Sequence, residues 1–266
     1  MTIDQQDDVG PVPVFSGPVP HIRHVAVDRP WHWLQLGMAD LGAAWRVSLT
    51  YGALIAAFSL ALTLLVAGSG HVMLMLPLTA GFTLVAPLIA VGLYATSRDI
   101  AAGRAPDLGR ALRAWQVNPL QVGFLGVLLL LLHLFWVRVA TLMYALFFSE
   151  LSPTLDTLVT TLFQSGASLP FLIVGTAVGA GFAAVAFAVS VVSIPMLLDR
   201  RTNAFTAMAT SIMAVRVNLP AMALWAFIIV FLTMVGIATL FVGLVFTLPL
   251  IGHASWHAYK DLVTEQ

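Results

Sequence analysis

Apolar residues gather into long runs parted by short polar stretches. The first run covers roughly 48–67 and stops at Gly68-Ser69-Gly70-His71. The second extends from about 72 to 95, the third from Pro119 to Phe148, the fourth from about 169 to 198, and the last from 219 to about 259. About 20 residues at 1.5 Å each cross the hydrocarbon core of a bilayer. The last run is too long for one crossing. Gly236 near its middle predicts two helices of about 19 residues joined by a tight turn, for six spans in all.

Three short segments read nearly alike: Ala44-Trp45-Arg46-Val47-Ser48-Leu49, Ala114-Trp115-Gln116-Val117-Asn118-Pro119 and Ala214-Val215-Arg216-Val217-Asn218-Leu219. Each closes a weakly amphipathic stretch, and a long apolar run follows at once. The stretches align as Met38, Leu108 and Met208, then Gly42, Leu112 and Ile212, then Trp45, Trp115 and Val215. Steps of four and three follow one helix face. The pattern predicts a short interfacial helix opening each unit, with Trp45 and Trp115 at the lipid headgroup level. Ser48, Asn118 and Asn218 are suitable N-caps for the spans that follow, and Pro119 suits a first helical turn. Pro87, Pro195 and Pro249 recur near the ends of spans two, four and six. Each frees a backbone carbonyl and kinks its helix, which neighbouring helices must re-satisfy.

The expected fold is an all-α polytopic membrane protein. Six transmembrane helices form three helical-hairpin repeats, each preceded by a short interfacial amphipathic helix, with rough threefold symmetry about the membrane normal. Residues 1–30, with Asp4, Asp7, Asp8 and prolines at 11, 13, 18, 20 and 30, read as a disordered cytoplasmic tail rather than a signal peptide. Repeat 1 covers 31–97. Repeat 2 covers 98–201 and includes an outer loop at 149–168 with a short surface helix after Pro153. Repeat 3 covers 202–259, and 260–266 form a second tail.

Composition agrees. Of 266 residues, 60% are hydrophobic and 9% charged, far below the ~25% charged of a soluble domain. The 12 basic and 12 acidic residues cancel, which gives no footprint for nucleic acid. The absence of cysteine excludes disulfides, thiolate metal sites and iron–sulfur clusters. Arg23, Arg29, Arg46, Arg98, Arg104, Arg110, Arg113, Arg200, Arg201, Arg216 and Lys260 all fall on one side of a six-span arrangement. The positive-inside rule then places both termini in the cytoplasm, as in a bacterial inner-membrane protein. The exception, Arg138, lies about 30 Å along its helix from Pro119 and reaches the outer interface, near Glu150 and Asp156.

Candidate chemistry is sparse. His253 and His257, four apart on one helix face, suit interfacial packing, a quinone or lipid headgroup contact, or a metal or haem site. His133, within span three, suits either a helix-packing hydrogen bond or a functional site. No Asp, Glu or Lys falls within a span. The polar groups there are hydroxyls, among them Ser59, Thr63, Thr79, Thr83, Thr141, Thr176, Ser190, Ser193, Thr233 and Thr247. Gly175 and Gly179 form a GxxxG, read as close helix packing. No nucleotide-binding, zincin or nucleophile-elbow motif is present, so no catalytic residue, metal ligand or resident cofactor is expected.

Several segments resemble DUF2189, a bacterial membrane family. They are Ser193-Ile194-Pro195, Leu197-Leu198-Asp199-Arg200, Phe205-Thr206-Ala207-Met208, Asn218, Ala221-Met222-Ala223-Leu224-Trp225 and Leu248 through His257, with Trp33-Leu34 and Leu49-Thr50-Tyr51-Gly52 upstream. The resemblance covers about 31–260 and implies an integral membrane protein with no established reaction. Members are sometimes labelled as cytochrome c oxidase subunits. Seven histidines, most of them outside the spans, do not supply the ligands of a haem–copper core. An accessory or assembly role beside a respiratory or other membrane complex is compatible with that label. The alternatives are a transporter or channel for a small neutral or lipid-like solute, and a haem- or quinone-binding subunit. A continuous central cavity lined by the span hydroxyls would favour the transporter, and a centre filled with Leu, Phe and Met side chains would count against it.

Overall fold

The computed structural model describes residues 20–71, 74–148 and 166–264. The far N-terminus, Glu150, Asp156 and the surface helix expected after Pro153 lie outside these residues. Within them the fold is all helix, apart from one isolated antiparallel bridge between Ile22 and Val263. Helix α1 (Arg29–Ala43) starts with Pro30 in its first turn, where the missing N–H is harmless. The chain bends at Ala44 into α2 (Trp45–Gly68). Helices α3 (Met75–Ile89) and α4 (Val91–Ala101) follow. Next come the five-residue α5 (Leu108–Leu112), a 3-10 turn (Ala114–Val117) and α6 (Pro119–Phe147). Then come α7 (Ser168–Ser190), α8 (Ser193–Asp199), α9 (Ala204–Val217), α10 (Leu219–Ala238) and α11 (Leu244–Leu262).

Five stretches are long and apolar enough to cross a membrane: Trp45–Gly68, Pro77–Ala101, Pro119–Phe147, Ser168–Asp199 and Leu219–Ala238. The sixth expected span corresponds to α11. Its 19 residues reach about 28 Å. Its second half carries His253, Ser255, His257, Lys260 and Asp261, and this polarity keeps it out of the five. Apart from the exposed Lys260, those groups turn toward protein, because α11 is the central post, packed by α1, α2, α4 and α10. Gly37 permits the approach of α1. A Cβ there would lie 2.7 Å from the Ala254 nitrogen. Without a hydrophobic driving force between helices in lipid, such small-residue contacts carry much of the association.

The three prolines differ in their surroundings. The span of α3 and α4 breaks at Ala90, just past Pro87. The Leu93 N–H turns back to the Ala90 carbonyl, and the Ile89 carbonyl is taken by the Tyr51 hydroxyl at 2.7 Å. The next span breaks at 191–192, four residues ahead of Pro195, and Ser211 Oγ accepts the Val192 N–H at 3.2 Å. Around Pro249 the helix runs on. Gly52 of α2 sits so close to the freed Val245 carbonyl that an added Cβ would fall 2.4 Å from it.

Two expectations are corrected. Gly236 does not make the turn between the last two helices. It lies inside α10, where a side chain would collide with Leu244 at 2.4 Å, while the turn falls at 239–243, with Leu240 and Phe241 at φ 53° and 67°. The glycine serves helix approach, which a linear reading does not distinguish from a turn signal. Nor do Ser48, Asn118 and Asn218 cap their spans. Ser48 lies inside α2, and neither asparagine side chain caps α6 or α10. All three reach to distant chain. Asn118 donates to the Leu197 and Thr202 carbonyls, and Asn218 accepts the Val25 N–H at 2.9 Å while donating to Arg23.

The segments that open at α1, α5 and α9 share a burial pattern. Ala44, Ala114 and Ala214 are buried, as are Leu41, Ala111 and Ser211 one turn earlier. Of the aligned positions, Met38, Trp45, Leu112, Trp115 and Ile212 are exposed, whereas Leu108, Met208 and Val215 are half-buried against the core.

Candidate functional site

Two features stand out where the helices converge. The first is a polar seam along the last turns of α11. His253 is fully buried. Its Nε2 lies 2.8 Å from Ser48 Oγ of α2 and its Nδ1 2.8 Å from Ser97 Oγ of α4. Ser97 in turn hydrogen-bonds Asp40 of α1, whose Oδ2 pairs with His257 Nε2 at 2.8 Å. The seam thus ties α1, α2 and α4 to one helix. Burial by itself would raise the Asp40 carboxyl. The hydrogen bonds from His257 and Ser97, with the charge of the neighbouring imidazoles, outweigh it and hold the carboxyl below the usual range.

Just beyond, Asp261 accepts from Arg29 Nε at 2.6 Å, Trp33 Nε1 at 2.9 Å and Arg23. The hydrogen bond to Asp261 raises the Arg29 guanidinium above its ordinary value, against the smaller effect of burial. Asp199 accepts from the Tyr259 hydroxyl at 2.7 Å and from Lys260 at 3.1 Å, and Arg200 donates to that same hydroxyl. The arginine-rich end of the bundle is therefore stitched by pairs that join distant chain.

The second feature is a cavity of about 880 Å³ bounded by α3, α4, α6, α7, α10 and α11. Five of the ten span hydroxyls named from sequence, Thr83, Thr141, Thr176, Ser190 and Thr233, line it, amid a wall that is overwhelmingly apolar. No charged side chain does. Thr141 and Ser190 donate to carbonyls one turn back on their own helices, at 2.8 and 2.6 Å, which leaves the lining chemically quiet. Tyr94 and Ser255, which hydrogen-bond each other, also line it. The cavity opens sideways. Among the described residues α7 and α10 share no packed interface, and Thr176 and Ala180 of α7 and Ala223 and Phe227 of α10 are exposed within it.

The remaining candidates are scattered. His133 packs α6 onto α3, its ring filling the space that a side chain at Gly81 would need. Trp136, one turn on, donates to the Pro77 carbonyl at 2.8 Å. Arg138, Trp45 and Trp115 are exposed. Gly179 rests against the Trp136 ring, the close packing read from the GxxxG. Among the described residues no three His, Asp or Glu side chains gather as a metal site requires. The sequence reading passed over Asp40, Ser97 and Asp261. One signal was available: Ser48, Asn118 and Asn218 stand four residues after the same alanine in each unit, and all three make long-range ties.

Helices of this length and apolarity, packed through small residues and a polar seam kept off the lipid, define an integral membrane protein. Residues 74–199 match the model of a family described as predicted integral membrane protein (DUF2189). The matched stretch runs from α3 to α8, so it takes in Pro87, Pro195 and most of the cavity wall, while His253 and His257 lie beyond it. No curated protein and no solved structure matches the chain.

Proposed function

We propose that this protein is a non-catalytic binder or carrier of a neutral, lipid-like solute, taken from the bilayer into the cleft between α7 and α10. The cavity carries the reading. Its 880 Å³ falls within the ~300–1,000 Å³ of small-molecule sites. An apolar wall without a charged group excludes ions and favours a ligand with a long hydrocarbon part. The accessory-subunit reading has no comparable feature behind it. The haem reading through His253 meets a chemical obstacle, since both ring nitrogens are already engaged with Ser48 and Ser97.

The same reading takes α11 as a sixth span, with units at 31–97, 98–201 and 202–259 and both termini in the cytoplasm of a bacterial inner membrane. What supports it is the arginine bias and the matched burial of Ala44, Ala114 and Ala214.

The test is to purify the full chain in mild detergent, extract it and identify apolar molecules by mass spectrometry. The wild type should retain a defined lipid-like species near one per protein. Ala223→Phe and Ala184→Phe, which narrow the cleft from two sides, should lose it while helical content holds. Equal retention by wild type and both variants would overturn the proposal.

A further inference from the structure

We infer that a second site, the groove between α4, α5 and the 3-10 turn 114–117, holds the phosphate of an anionic phospholipid. The groove, about 530 Å³, is lined by Arg98, Arg110, Arg113 and Gln116 with Asp99 and Asp107. Residues 98–113 carry four arginines against two aspartates. Both carboxylates are already engaged. Asp99 takes Arg104 at 2.6 Å on one oxygen and Arg110 Nε at 3.1 Å on the other. Asp107 accepts the Arg110 backbone N–H at 2.7 Å and so caps α5.

Two guanidiniums are left with donors to spare. Arg98 gives one N–H to the Leu198 carbonyl, yet its Nε is buried with no hydrogen-bond partner among the described residues. The Arg113 guanidinium makes no hydrogen bond or ion pair among the described residues and stands over Gly109, its Nη2 3.5 Å from where a Cβ would sit. An orphaned buried donor is costly, and a phosphate is the acceptor whose oxygens match the guanidinium fork.

A free phosphate has the same chemistry, but the surroundings favour a lipid. Leu112, Trp115 and Val117, on the same short stretch, are exposed. Exposed Trp and aliphatic side chains beside clustered arginines belong at the headgroup level, where basic pockets between spans bind anionic headgroups. A phosphate in the groove would leave its acyl chains along that apolar rim.

The experiment uses the full chain in mixed micelles containing phosphatidylglycerol or phosphatidylcholine, with bound lipid counted by native mass spectrometry. Phosphatidylglycerol should be retained in preference. Arg113→Gln, an exposed and unpaired position, should weaken that retention roughly fivefold, the worth of one interfacial arginine. Arg46→Gln, on the same end of the bundle but stacked on Trp45 outside the groove, should leave it unchanged. Equal retention of the two lipids, an equal loss in Arg46→Gln, or an unchanged Arg113→Gln overturns the site. Displacement of the lipid by millimolar inorganic phosphate assigns the groove to the free anion and overturns the lipid.

Discussion

Replacing Gly37 by alanine tests the central packing of the bundle, and Gly42 in the same helix supplies the control. In a helix interior alanine is favoured over glycine by about 1 kcal/mol, so propensity alone predicts that both changes stabilise. The surroundings differ. At Gly42 an added Cβ meets nothing within 4 Å. At Gly37 it would lie 2.7 Å from the Ala254 nitrogen and 2.9 Å from both its Cα and its Cβ. None of these atoms swings away as a long side chain would, so α1 and α11 must separate. Overpacking of this kind costs about 1–3 kcal/mol, and rigid backbone on the far side puts Gly37 at the upper end. The net expectation is a loss of about 2 kcal/mol for Gly37→Ala and a gain below about 1 kcal/mol for Gly42→Ala, which sits in the last turn of α1. At 2–4 °C per kcal/mol the first lowers the melting temperature by about 4–8 °C. Thermal unfolding of the detergent-solubilised chain, followed by circular dichroism, reads both. A Gly37→Ala variant as stable as Gly42→Ala would refute the contact between α1 and α11.

The polar seam makes three further predictions. His253→Phe strands the Ser48 and Ser97 hydroxyls and should cost about 1–3 kcal/mol, read as a lower melting temperature that Ser97→Ala only partly reproduces. Asp40 is held below its ordinary carboxylate range. Its contribution to stability is therefore complete above the unfolded value near 3.9 and is lost as pH falls through the lower folded value. Melting temperature should drop with acid below about pH 4. Asp40→Asn should flatten part of that slope, and an identical slope in the variant would remove Asp40 from the account. Finally, because both ring nitrogens of His253 are engaged, the purified protein should show no Soret band in its visible spectrum.

Much of this structure follows from local rules. Runs of apolar residues with the length of a bilayer become helices, because lipid offers backbone groups no other partner. The proline positions forecast breaks near Ala90 and Val191, since a missing N–H and a ring clash act within four residues. The exposure of Trp45 and Trp115 was legible for the same reason: a helix face is set by spacing alone. Other features depended on which helices meet. Gly236 read as a turn and proved to be a contact, and Ser48 read as a cap and proved to be a partner of His253, 205 residues away. Asp40 drew no notice until α1 lay against α11. Sequence alone thus determined the class of the protein and the position of its five long apolar helices, because both depend on transfer of short segments into lipid. Tertiary structure alone decided that the most polar of the long helices stands at the centre, that its histidines are spent on holding neighbours, and that α7 and α10 leave a cleft between them. Those are properties of how surfaces pack, and no single segment carries them.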